Sequence, residues 1–200
     1  MAIKFQYNKT SQQGLAKQLK IRERALPTLK NKESALRVEV KKAKDKAAVL
    51  DEALKKELSL YEDMMQLWSE FDPSLVEIND VELTSKKIAG VQTPILEKVH
   101  FEVRDYNMFD KPSWFPDGIA ILEKLAKIAI ERAVFERKME LLDFARKKTT
   151  QKVNLYEKVQ IPGFQDAIRK IKRFLEDEEN LSKAAQKIVK NRQQNAEAES

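Results

Sequence analysis

At 200 residues, with 35% charged and 42% hydrophobic residues and only four Gly, the chain has the profile of a long-helix or coiled-coil protein. The absence of Cys excludes disulfides, thiolate nucleophiles and sulfur-ligated zinc, and an aromatic content of 8% leaves little for a thick, round core. Charge is uneven: residues 1–50 carry 13 Lys+Arg against 4 Asp+Glu, residues 51–120 carry 7 against 15, and residues 121–200 carry 18 against 13.

The first 72 residues read as one long helix. From Leu15, apolar residues recur at Leu19, Leu26, Leu29, Leu36, Val40, Ala43, Ala47, Leu50 and Leu54, stepping alternately by three and four if Arg22 and Glu33 are polar members of the same seam. That is a sustained coiled-coil heptad, with a stutter expected where Leu50, Leu54 and Leu58 follow at four plus four. The pattern stops at Phe71-Asp72-Pro73, since the residue before a proline avoids the helical region.

Residues 73–116 change period. Leu75 to Leu83 and Ile95 to Val103 alternate apolar and polar, a strand pattern. Gly90 and Pro94 punctuate the stretch between them, which predicts a β-hairpin with its turn in residues 88–94. Tyr106 to Pro116 reads as a loop rich in Asp, Pro and aromatics.

Residues 117–192 read as a second long helix, striped by Ile121, Leu125, Ile128, Phe135, Met139, Leu142, Val153, Tyr156, Phe164, Ile168, Ile171 and Leu175, then Leu181, Ala185 and Ile188. Polar layers fall at Arg132, Thr149 and Gln160, and Pro27 and Pro162 are expected to kink the two helices. Residues 193–200 are polar without a period and read as a disordered tail.

Two helices with one narrow apolar stripe each bury it most simply against each other. The predicted fold is therefore mainly α: a long antiparallel two-helix coiled-coil hairpin, one elongated domain, with a short β-hairpin in the central segment. Paired in this way, the chain would have a basic end and an acidic opposite end, suited to different partners.

Sites for chemistry are scarce. His100 is the one histidine, and a lone His in a strand is more often a surface or packed residue than a catalyst. Gly14, Gly90, Gly118 and Gly163 lie too far apart for a phosphate-cradling loop. The run Glu176-Asp177-Glu178-Glu179 reads as a solvated face paired with lysines, not a metal site. The basic stretches Lys17–Arg24 and Lys41–Lys46 allow a nucleic-acid-binding coiled coil as the alternative, although no aromatics interleave with them as a stacking platform requires. A membrane-curving scaffold is a third class. No signal-peptide run opens the sequence and no stretch approaches the ~20 apolar residues of a membrane span.

Three motifs in order carry a resemblance. Leu29-Lys30-Asn31-Lys32-Glu33-Ser34-Ala35-Leu36, Lys87-Ile88-Ala89-Gly90-Val91-Gln92-Thr93-Pro94 and Val153-Asn154-Leu155-Tyr156-Glu157-Lys158-Val159-Gln160-Ile161-Pro162 resemble the L-K-x-K-R-x-x-L, G-V-x-x-P and V-N-x-L-E-x-x-x-I-P elements of the D subunit of the V-type ATPases. Glu33 in place of the family's usual Arg, with Gly14, Pro27 and the long aromatic middle, favours a bacterial V/A-type complex over the eukaryotic vacuolar enzyme. The resemblance implies a non-catalytic central rotor shaft, without cofactor or metal, turned by a ring of A and B subunits. It also implies binding to the small F subunit and docking on a funnel-like subunit above the membrane ring, in a cytoplasmic complex, with no nucleic acid partner and no membrane insertion of its own. Under it, Lys17, Lys20, Arg22, Arg24, Lys170, Lys172 and Arg173 are candidate A/B-ring contacts. Leu54, Tyr61, Met65, Trp68, Phe135 and Met139 are candidate seam or F-subunit contacts. The competing reading of each is ordinary coiled-coil packing or solvation.

Overall fold

The computed structural model describes residues 3–62, 68–107 and 109–198, the side chains of residues 196–198 aside. Helix α1 spans Lys9–Leu60, strands β1 and β2 span Val76–Ile88 and Val91–Val103, helix α2 spans Phe115–Asn154, a π-helix covers Leu155–Gln160, and α3 spans Ile161–Ala198. The expected mainly α fold with two long helices around a β-hairpin is observed. The helical pattern of α3 continues past Arg192. Two compact units form, residues 1–31 with 149–200, and residues 32–148.

In the first unit α1 starts where the Asn8 Oδ1 accepts the Ser11 N–H at 2.7 Å, which satisfies a donor at the open helix end. Leu15 is buried with Phe164, Ala167 and Ile171, and Ile3, Phe5, Leu19, Ile168 and Leu175 pack around them. The helices run antiparallel: Arg22 meets Gln160, and Lys30 meets Glu157. Ile3 approaches so closely that a Cβ on Gly163 would lie 2.9 Å from its Cδ1, which gives the Pro162-Gly163 pair a packing role.

The two prolines behave differently. Pro27 is exposed and α1 passes through it unbroken, whereas Pro162 follows a π-helix in which the Ile161 N–H reaches back to the Tyr156 carbonyl. The sequence explains this wider turn. Buried and half-buried positions step from Thr149 to Val153, Tyr156, Gln160, Phe164, Ala167 and Ile171, with two consecutive steps of four at Gln160. α1 keeps its alternation opposite, so this strand of the pair carries one surplus residue, which a π turn absorbs. The turn also falls where the proline ring would press on the Lys158 carbonyl.

In the second unit Leu36 and Leu142 are fully buried, with Ala43 and Ala47 close behind. Salt bridges from Arg132 to Asp51 at 2.9 Å and Lys124 to Glu57 at 2.8 Å set the antiparallel register. The predicted stutter is absent. The seam continues from Leu54 to Glu57 and Tyr61, steps of three and four, because Glu57 fills a polar layer against Lys124, while Leu58 stands 50% exposed.

The hairpin strands are longer than their alternation suggested, 13 residues each, joined by a tight turn at Ala89 and Gly90, both at positive φ. That geometry suits the right-handed twist of the strands. Register slips between Ile78 and Asp80 and between Glu82 and Leu83, so each strand carries an extra residue opposite one partner. The turn comes back to α1: a Cβ on Gly90 would sit 3.4 Å from Lys32 Nζ. Where chain leaves and re-enters the helices, Phe71, Leu75, Phe115 and Ile119 are buried, ringed by Trp68, Val76, Tyr106, Trp114 and Leu122.

Candidate functional site

The basic candidates lie in the first unit, which carries 17 Lys+Arg against 9 Asp+Glu, a net of +8. Lys17, Lys20 and Arg24 on α1 and Lys170, Lys172 and Arg173 on α3 are all exposed. Lys170 pairs with Asp166 at 3.0 Å and Lys172 with Glu176 at 3.6 Å, both one turn apart on their own helix. Such exposed pairs contribute little, on the order of 0.3–0.5 kcal/mol. Lys17, Lys20, Arg24 and Arg173 have no anionic partner among the described residues, so their charge is directed at solvent or at another molecule.

Arg22 stands apart from that group. It is half-buried in the seam, its Nε donates to Gln160 Oε1 at 2.6 Å and its Nη1 to the Gln18 carbonyl at 3.1 Å. Its guanidinium carbon lies 4.6 Å from the centre of the Phe164 ring and 5.8 Å from that of Tyr156. It bridges the two helices at the π-helix, a polar layer between apolar ones. Arg22→Ala is expected to lower stability by about 1–3 kcal/mol, through the Gln160 left unpaired and the lost ring contacts. Arg24→Ala, at an exposed and unpaired position, should stay within ~0.5 kcal/mol in the same urea titration; equal losses would place Arg22 outside the seam.

The second set of candidates is spread over three environments. Leu54 and Tyr61 are half-buried on α1, and Tyr61 lines an apolar recess of about 350 Å³ with Leu58, Glu62, Trp68, Leu122 and Leu125. Trp68 belongs to the aromatic cluster, its ring 5.3 Å from Phe71 and 5.5 Å from Trp114. Phe135 lies between Lys46 and Lys138, at 6.0 and 5.6 Å, and Met139 lines a shallow recess with Lys44, Ala47 and Arg132. Met65 lies outside the described residues.

Electrostatic perturbation falls on structural pairs and on Asp72, whose carboxyl pKa is lowered by hydrogen bonds from Ser74 where it caps a short helical turn. A hydrogen bond from Lys55 holds the Asp51 carboxyl below its usual range, and hydrogen bonds from Lys147 and Arg146 do the same to Asp143. Lys183 lowers Glu179 likewise, and Glu57 raises Lys124. None of these groups lies in an enclosed cleft, where a shift would point to acid–base chemistry. Among the described residues no group of three or more His, Asp or Glu is placed to hold a metal, and no helix is long and apolar enough to cross a membrane.

Sequence reasoning missed two surface features. Phe144, Val38 and Val49 are 60%, 52% and 62% exposed, off the seam of their helices. Phe109, hidden in a stretch legible only as loop, is 99% exposed. Helical period finds seams, so residues outside the period leave no comparable signal.

The profile of a family described as the D subunit of ATP synthase matches residues 11–191. A V-type ATP synthase D subunit from Borreliella burgdorferi is 31% identical over 175 residues, covering 86% of this chain and 87% of that protein. The V-type ATP synthase D subunits of Chlamydia muridarum and Chlamydia pneumoniae are each 28% identical, over 197 and 160 residues. The first covers 95% of this chain and 96% of its own length, the second 76% and 75%.

Proposed function

We propose, because this chain belongs to the ATP synthase D-subunit family, that it is the central rotor shaft of a bacterial V/A-type rotary ATPase. It would couple ATP hydrolysis or synthesis in a ring of A and B subunits to ion translocation in the membrane sector, without catalysing either step itself. The observation that carries the reading is the family match across both long helices and the hairpin between them. The geometry supports it. In each unit the helices interlock through buried layers, Leu15 with Ile171 in one and Leu36 and Leu142 in the other, and such packing resists slippage of one helix on the other. A surface that meets several partner faces in turn works best without one tight anchor. The unpaired Lys17, Lys20, Arg24 and Arg173 offer long-range, non-directional attraction of that kind.

On this reading the partners are the A and B subunits at the basic surface, the F subunit, and a funnel-like subunit on the membrane rotor ring, all in a cytoplasmic complex peripheral to the membrane. The test is a pull-down of the full chain from its native host. Co-recovery of A and B, and of a small F subunit at about one to one, is expected. Recovery of a lone homodimer overturns the shaft, and binding to nucleic acid that falls steeply with added salt would favour the basic coiled-coil alternative.

A further inference from the structure

We infer that the C-terminal part of α3 is a self-association surface, on which a second copy of this chain pairs antiparallel when no other subunit covers it. The chain's own cover of α3 ends at Phe174 and Leu175, which meet Tyr7 and the Leu15 cluster. From Glu176 to Asn195 every residue is exposed, over a length of ~30 Å.

The apolar stripe does not end with its cover. Phe174, Glu178, Leu181, Ala185, Ile188 and Arg192 follow one another in alternating steps of four and three, the spacing of a coiled-coil seam. Leu181 is 73% exposed, Ile188 54%, and Val189 beside them 55%. A helix with no packed face draws little stability from its own propensity, so a seam this regular calls for a second helix.

Charge selects that helix and its direction. Glu176, Asp177, Glu178 and Glu179 open the exposed segment. Lys183, Lys187, Lys190 and Arg192 follow, with no Asp or Glu between Lys183 and Asn195. Within α3, Lys183 pairs with Glu179 at 2.7 Å and Lys172 with Glu176 at 3.6 Å. Asp177, Glu178, Lys187, Lys190 and Arg192 have no ion-pair partner among the described residues. An acidic or a basic partner would complement only half of this segment, whereas a second copy laid antiparallel complements both halves through one two-fold interface. Glu178 and Arg192 lie on the stripe itself, at opposite ends of the apolar run, and face each other across such a pair. A parallel pair would set Glu178 on Glu178 and Arg192 on Arg192, which repel.

The overlap of residues 177–192 is ~24 Å long, so the interface belongs to the small, transient class, with dimers expected at about 10–100 µM. The pairing goes beyond the shaft reading, because it concerns the chain outside any complex.

The experiment is sedimentation velocity on the purified full chain over about 5–500 µM, a range that brackets the affinity of so small an interface. A monomer–dimer equilibrium that weakens with added salt is expected. Leu181→Ser combined with Ile188→Ser should weaken it more than about 10-fold, since both apolar side chains leave the seam, with an unchanged melting curve. Glu178→Arg alone should weaken it about 5–20-fold, as should Arg192→Glu alone, because each sets like charges together; the two combined should restore it. A chain that stays monomeric across the range overturns the pairing, as does a dimer that survives the double serine change. Single charge reversals without effect overturn the antiparallel arrangement. The shaft is tested separately, by recovery of A and B from the host, so failure of either reading leaves the other intact.

Discussion

Ile171→Ala is expected to destabilise the first unit by about 2–4 kcal/mol. Ile171 is fully buried among Leu15, Phe164 and Ala167, so truncation removes apolar contacts and leaves a cavity that two facing helices close only in part. Alanine is the better helix former by roughly 0.4 kcal/mol, which offsets little of this. Urea titration should show the loss as a lower midpoint. Amide exchange should show it where the cluster sits, around Leu15 to Leu19 and Phe164 to Leu175, since local packing sets local opening. Leu181→Ala is the control, because Leu181 is 73% exposed and should change stability by less than about 0.5 kcal/mol. Equal losses for the two would mean that the seam does not end where burial says it does.

The second large effect lies in the aromatic cluster and runs against helix propensity. Gly118 sits in the first turns of α2, where Gly→Ala ordinarily gains up to ~1 kcal/mol. Here a Cβ would stand 2.8 Å from Trp114 Cζ3 and 3.1 Å from Phe71 Cε2. The indole has little freedom to yield, with Trp68, Phe71 and Phe115 rings 5.5, 5.7 and 5.2 Å away. Gly118→Val should therefore cost about 3 kcal/mol, with Gly118→Ala between it and wild type, as overpacked cores do. Near-ultraviolet circular dichroism should lose tryptophan signal in step with the falling melting temperature. A stabilised Gly118→Ala would show that the cluster is loosely packed.

Much of this fold is legible in the chain because its main elements are periodic. A three-four alternation from Leu15 to Leu54 needs no tertiary information to declare a helix with one buried stripe, and the two strands announce themselves by period two. Polar members of the seam read correctly for the same reason: Arg22 and Glu33 fall on the stripe and are half-buried there. The limits are equally physical. Leu58 looked like a seam residue because it is apolar, yet the neighbouring Glu57 takes the layer once Lys124 arrives from the facing helix to neutralise it. Arg22 satisfies both a basic surface and a polar layer by composition, and only the position of Gln160 decides between them.

What the sequence alone determined is the helix–hairpin–helix order and the antiparallel pairing, since apolar stripes too narrow to stay in water must meet each other, and the three motifs that point to the family. What the tertiary structure decided is where each helix absorbs its irregularities and which side chains remain outside. The π turn at Leu155–Gln160 exists because α2 and α3 carry one residue more than α1 opposite, a mismatch that neither helix shows by itself. Phe109 is 99% exposed, and its exposure depends on what the rest of the chain fails to reach, which no local pattern encodes.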